Sequence, residues 1–174
     1  LGFETCSFLV GDSIAVDMGS ATSKLTLQEQ AKITDILLSH AHLDHTKDLA
    51  FFSENVFAIV SKPVNVRGTP DTLRKVKDHI FNGELWGDFA VLSSGTKPIF
   101  HFQSFETRKS FRVGSMEALA VSGVHSGGSA ALFLKGERGT ILYSGDTGPA
   151  PAVLEEINRR GKGMTAVLLE CSLP

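Results

Sequence analysis

The segment His40-Ala41-His42-Leu43-Asp44-His45 holds three of the chain's six histidines beside an aspartate. Imidazole nitrogen and carboxylate oxygen are the donors that zinc and similar divalent ions take up. An apolar stretch, "ITDILLSH", runs directly into the cluster. A loop leaving such a strand can turn His40 and His42 to one side and Asp44 and His45 to another. On that spacing one metal takes His40 and His42, and a second takes Asp44 and His45. A catalytic zinc usually has three protein ligands and a water, so more donors are required. His125 ends "MEALAVSGVH" and Asp146 follows "ILYSG". Each closes an apolar run, as the cluster does, and each is a candidate ligand. Taken singly, His125 reads as a structural histidine and Asp146 as a turn residue. Asp17, at the end of "SIAVD", reads as a residue that holds a ligand histidine in place rather than binding metal itself.

The elements that must position these residues follow from periodicity and turn chemistry. Phe8–Val10 and Ile14–Val16 read as two strands about a Gly11–Asp12 hairpin turn. "LTLQEQAKI" has helical spacing and "ITDILLSH" reads as a buried strand. "TKDLAFFSENV" reads as a helix with Leu49, Phe52 and Val56 on one face. "VFAIVSKPVNVRG" gives one or two strands broken by Pro63. Pro70 opens a helix, "PDTLRKVKDHIF", because proline fits a first helical turn. "NGELWGDF" is a loop. "KPIFHFQSF", "MEALAVSGVH", "SAALFLKG" and "TILYSGD" read as four strands. "APAVLEEINRRG" is a helix closed by Gly161, and "TAVLLECS" is a last buried strand. Strands outnumber helices, which predicts an α+β fold of two packed sheets with helices outside.

Composition sets the outer limits. With 174 residues, 42% hydrophobic and 21% charged, the chain suits a single domain over 1–174 with a sizeable core. The net charge of −2 implies no polyanion partner, and nucleic acid is not an expected ligand. The basic clusters Arg74, Lys75, Lys77 and Arg108, Lys109, Arg112 read as solvated faces. Two cysteines, Cys6 and Cys171, form no disulfide framework and read as buried thiols of a reducing compartment. No apolar run is long enough to span a membrane, and the expected setting is the cytoplasm. The chain opens on Leu1 rather than methionine, which leaves room for a removed N-terminal segment.

HAHLDH, a distant strand-end histidine and then SGDTGP, in that order, resemble the metallo-β-lactamase superfamily. The resemblance covers nearly the whole chain and implies an αβ/βα sandwich. It also implies that His40, His42 and His125 hold a first metal, that Asp44 and His45 hold a second, and that Asp146 bridges the two. Zinc suits the ligand set, with manganese or iron as alternatives.

A narrower resemblance is to the class II cyclic-nucleotide phosphodiesterases. It rests on His40, His42, Leu43, Asp44 and His45, then Leu49, Ala50 and Ser53, and on the segment "HIFNGELWGDF". Thr46, Asp48, Glu54 and Gly87 depart from that pattern. The resemblance implies a small phosphodiester substrate, cAMP or cGMP. A hydroxide activated by two metals, with Asp44 and Asp146 as catalytic carboxylates, would hydrolyse it to the 5′-monophosphate. Asn82 and Trp86 could line a purine pocket, although Trp86 reads equally as a core anchor. Ser126 and Gly127 could offer backbone N–H groups to phosphate, or simply form a turn. His79 reads as a packing or capping residue and His101 as structural or exposed. The superfamily's last histidine ligand has no counterpart, because the chain stops at Pro174 soon after Glu170. Either a C-terminal segment is missing or the second metal site is incomplete. Other readings are another hydrolase of this fold, acting on RNA 3′ ends, a thioester or a lactam, or a metal-poor binding or sensory module. A nuclease would carry a basic arm, and none is evident. A homodimer is compatible with the sequence, and no motif demands it.

Overall fold

The computed structural model describes residues 4–93 and 97–170. Cys171 lies outside the described residues. The chain divides into two compact units, Leu1–Ser104 and Phe105–Pro174.

The first unit is built on a five-stranded sheet in chain order: β1 (Phe8–Val10), β2 (Ile14–Val16), β3 (Asp35–Leu37), β4 (Val64–Gly68) and β5 (Phe100–Ser104). The β1–β2 hairpin is antiparallel and every later pairing is parallel. β2 and β3 are buried along their whole length; β2 is apolar throughout, and the buried Asp35 that opens β3 is paired with Arg67. Parallel neighbours need crossovers. Two one-turn helices, α1 (Ala21–Lys24) and α2 (Leu27–Gln30), join β2 to β3. α3 (Leu43–Thr46) and α4 (Asp48–Val56) join β3 to β4, and α5 (Pro70–His79) follows β4. Phenylalanine dominates the packing. Phe52 of α4 stacks parallel on Phe100 of β5, with centroids 6.2 Å apart, and Phe81 meets Phe100 edge-on at 5.4 Å. This cluster clamps the helix that follows the histidine segment onto the sheet.

The second unit carries a sheet in the order β10-β9-β8-β7-β6. Its strands are β6 (Ser110–Val113), β7 (Met116–Ser122), β8 (Ala130–Gly136), β9 (Gly139–Tyr143) and β10 (Met164–Leu168). α6 (Pro151–Arg160) packs Val153 with Leu119, Val121 and Phe133. The pairings make β7, β9 and β10 run in one direction, with β8 reversed between β7 and β9. The C-terminal ends of β7, β9 and β10 therefore share one edge of the sheet.

The expected strands and the helices at Pro70 and Pro151 are present. The last strand, expected to be buried, is not buried: β10 is the edge strand of its sheet, and Thr165, Ala166 and Val167 are exposed. Three local differences have physical causes. "LTLQEQAKI" makes one helical turn, fixed by a capping box between Thr26 and Glu29, and the chain then turns into β3. β6 was not anticipated, since "SFRV" is short and mixes charge with apolar residues. The histidine segment, expected as a loop, is helical from Leu43 onward.

That helix is held by the end of β2. The Met18 N–H donates to the His45 carbonyl at 2.7 Å, and the Asp48 N–H donates to the Met18 carbonyl at 2.8 Å. Helical dihedrals run on through Lys47 (φ −57°, ψ −34°), so α3 and α4 form one right-handed run. Gly19 lies so close that a Cβ there would drive into the Asp44 carbonyl and the Cys6 backbone. Both obstacles are main chain and cannot swing aside. Gly19→Ala is expected to destabilise the protein by at least ~3 kcal/mol in denaturant unfolding. Gly163→Ala, where a Cβ meets nothing within 4 Å, should stay within ~0.5 kcal/mol of the parent.

Candidate metal centre

In the first unit the candidate ligands gather where β2 and β3 end. Asp17 is fully buried and adopts a left-handed backbone (φ 57°), a region that aspartate tolerates better than most residues. Its carboxylate accepts the Ser39 N–H at 2.8 Å and the Ser39 hydroxyl at 2.7 Å. It also lies 2.7 Å from Nδ1 of His45.

These contacts fix two tautomers. A carboxylate only accepts, so the His45 Nδ1 atom carries the proton and donates. Ser39 has one hydroxyl proton, which goes to Asp17. Its oxygen therefore accepts from Nδ1 of His40, 3.0 Å away. Each buried imidazole is thus presented with Nε2 as the nitrogen whose lone pair can ligate a metal. The rings converge. His40 and His45 have centroids 4.2 Å apart, and His40 and His42 4.7 Å apart. His42 and Asp44 are exposed, while His40 and His45 are buried.

The Asp44 carboxylate approaches Nε2 of His45 to 3.4 Å. Two acceptors at that distance call for a proton or a cation between them. Two ligands of a tetrahedral zinc at ~2.1 Å stand about 3.4 Å apart. The donor set therefore fits a divalent metal.

In the second unit, His125 lies three residues beyond β7 and Asp146 three residues beyond β9, on the shared strand-end edge. Nε2 of His125 stands 3.8 Å from Oδ2 of Asp146. The two loops are laced together. The Val124 N–H donates to the Thr147 hydroxyl at 2.9 Å, and the Gly148 N–H donates to the Val124 carbonyl at 2.8 Å. The Ser144 hydroxyl donates to the Gly145 carbonyl and accepts the Glu170 N–H, both at 2.8 Å. Ser126 and Gly127 sit in an exposed turn closed by the Gly128 N–H on the His125 carbonyl. Gly127 and Gly128 both take positive φ there (78° and 83°).

Asn82 turns its amide inward on its own loop. Nδ2 donates to the Asp78 carbonyl, and Oδ1 accepts the N–H groups of Glu84 and Leu85. Trp86 is half-buried, and its indole N–H donates to the Ser53 hydroxyl at 3.3 Å. His101 is exposed and lies 3.0 Å from the Gln103 amide. The expected second role of Asp17, holding a histidine, is what the geometry displays.

Two residues of this centre were given no role from the sequence. Ser39 is the shared partner of Asp17 and His40; its signal is a hydroxyl residue directly before the first histidine. Asp48 is buried and accepts the N–H and hydroxyl of Thr22 at 2.8 and 2.6 Å. It pins α1 to the start of α4. Thr46, also buried, donates its hydroxyl back to the His42 carbonyl at 2.9 Å. Two of the departures from the phosphodiesterase pattern thus have local structural work.

A sequence profile described as the beta-lactamase superfamily domain matches residues 15–173. The chain belongs to that superfamily. Its two five-stranded sheets with helices are the metallo-β-lactamase fold. Unliganded yeast PDE1 shares that fold at a TM-score of 0.72 and 19% identity, over 90% of this chain and 50% of that one. YhfI from Bacillus subtilis shares it at a TM-score of 0.66 and 16% identity, over 88% of this chain and 59% of that one. In sequence, this superfamily member is 34% identical to 3′,5′-cyclic-nucleotide phosphodiesterase 1 of Saccharomyces cerevisiae over 71 residues. That match takes in 40% of this chain and 19% of the relative. The chain thus spans only part of the length of the proteins it matches. The superfamily is one of metal-dependent hydrolases, and His40, His42 and His45 of the first unit, like His125 and Asp146 of the second, are side chains of the kind that hold divalent ions. Among the described residues no helix is long and apolar enough to cross a membrane.

Asp17→Asn tests the centre. The amide cannot accept from both Ser39 donors and His45 as a carboxylate does. Zinc affinity, measured by competition with a chromogenic chelator, is expected to fall about 10- to 100-fold.

Proposed function

We propose that this chain hydrolyses 3′,5′-cyclic nucleotides to 5′-monophosphates with two divalent metals, zinc being the ion best suited to the donors. The observation that carries the substrate is the 34% identity to a curated cyclic-nucleotide phosphodiesterase. The metal requirement draws on the two buried histidines whose Nδ1 protons are committed to Ser39 and Asp17.

On this reading His40, His42 and His125 would hold one cation, Asp44 and His45 would hold the other, and Asp146 would contribute a carboxylate. Bound cations of this kind would acidify a water and neutralise charge on phosphoryl oxygens. The protein's own groups do the rest. Asp17 and Ser39 keep His40 and His45 in the ligating tautomer. Asp44, with its side chain 55% exposed, orients the attacking water and takes its proton. The backbone N–H groups of Ser126 and Gly127 receive the phosphoryl oxygens as the ribose 3′-oxygen departs. Asn82 holds the loop that carries Trp86, and Trp86 lines the purine side.

Metal content by mass spectrometry, run beside a cAMP and cGMP hydrolysis assay, tests this. Two metals per chain and 5′-nucleotide product are expected. His40→Ala should lose metal and at least ~100-fold in kcat/KM, since loss of a partner behind a ligand already costs 10- to 100-fold. Metal-loaded protein that hydrolyses a lactam or thioester but neither cyclic nucleotide would refute the substrate assignment.

A further inference from the structure

We infer that Phe51, braced by Trp86, is the platform on which the nucleobase of the substrate stacks. The inference rests on the cyclic-nucleotide reading and adds the residue that would select a base-bearing phosphodiester over a base-free one.

The placement follows from helix geometry. α3 and α4 form one right-handed run through Lys47. Asp44 and Phe51 are seven residues apart on it, which is two turns. At 3.6 residues per turn this spacing puts both on the same side of the run, with Phe51 ~10 Å further along the axis. Helical side chains lean toward the N-terminus, so the Phe51 ring tilts back toward Asp44. Both are open to solvent, Asp44 with its side chain 55% exposed and Phe51 52% exposed. Their helical neighbours Leu49, Ala50, Phe52, Ser53 and Val56 are buried. Lys47 lies between them on the same stripe, with its ammonium on the Asp48 carboxylate at 2.9 Å.

Phe51 is not a stray surface ring. It meets Trp86 edge-to-face, with centroids 5.7 Å apart and planes at 68°. The Trp86 indole N–H donates to the buried Ser53 hydroxyl, which itself donates to the Ala50 carbonyl at 2.6 Å. The indole is thereby pinned to the same helix that carries Phe51, which fixes the angle between the rings. Leu43, on the preceding turns, and Leu85, beside Trp86 in sequence, are also largely exposed (65% and 70%). A fixed aromatic face two turns from a carboxylate at the metal-binding end suits a ligand with a charged phosphate at one end and a flat base at the other. Stacking on such a ring is tolerant of base identity, so the platform would accept adenine and guanine alike.

Trp86 is the chain's single tryptophan, so its fluorescence reports on this surface alone. Zinc-loaded protein would be titrated with 5′-AMP and with ribose 5-phosphate, and binding of both measured by calorimetry. AMP is expected to change Trp86 emission, whereas ribose 5-phosphate is not. Phe51→Ala should raise the Kd for AMP and the KM for cAMP about tenfold and leave ribose 5-phosphate binding unchanged. Phe51→Tyr should restore both values. Equal weakening of AMP and ribose 5-phosphate, or an unchanged KM for cAMP in Phe51→Ala, would overturn the platform while leaving the phosphodiesterase reading intact. Unaltered protein that neither binds AMP nor hydrolyses cAMP, yet cleaves another phosphodiester, would defeat that reading and the platform with it.

Discussion

One buried carboxylate organises the metal-binding end of the first unit. Asp17 is cut off from water, and a bare charge there would be strongly unfavourable. Three donors repay that cost: the Ser39 amide, the Ser39 hydroxyl and the His45 ring. Because the carboxylate can only accept, it decides where the protons of its neighbours lie. The consequence passes through Ser39 to His40. A single charge thus sets the chemical form of two histidines without touching the place where a metal would sit.

The same placement device serves both units. In each sheet the candidate donors lie just past the C-terminal ends of strands that run in parallel. In the first unit Asp17 follows β2, and the histidine run follows β3. In the second, His125 follows β7 and Asp146 follows β9. Strand ends of this kind leave backbone free to form loops while the strands below stay rigid. The loops are then tied sideways, by Met18 to His45 and Asp48 in one unit and by Thr147 to Val124 in the other. The residue types supply the chemistry, and the lateral hydrogen bonds supply its precision.

Much of this was legible from the chain. The histidine cluster, the later strand-end donors and the order of elements led to the superfamily that the profile and the fold bear out. Strands flanking turns and helices opening on proline were readable because their signals are local. What escaped had longer reach. Ser39 carries no motif of its own; its role comes from a partner 22 positions earlier. The helical start at Leu43 was hidden because His42, at its N-cap, makes no side-chain capping bond and the ligand motif reads as a loop. Asp48 looked like a mismatch to a pattern until its partner Thr22, 26 positions away, came into view. The turn of Asn82 onto its own loop was equally invisible, since an Asx-type contact depends on local backbone angles rather than composition.

The distances in sequence between these partners bear on how the protein is made. Asp17 reaches Ser39 and His45 across 22 and 28 positions, so the short HAHLDH segment cannot sort its own protons as it leaves the ribosome. β2 and β3 must first lie side by side, because only their pairing carries Asp17 to Ser39. Non-local pairings of this kind form late and slowly. The ligating form of His40 and His45 is therefore a product of strand pairing and not of the local motif, whereas small zinc domains fold around their metal.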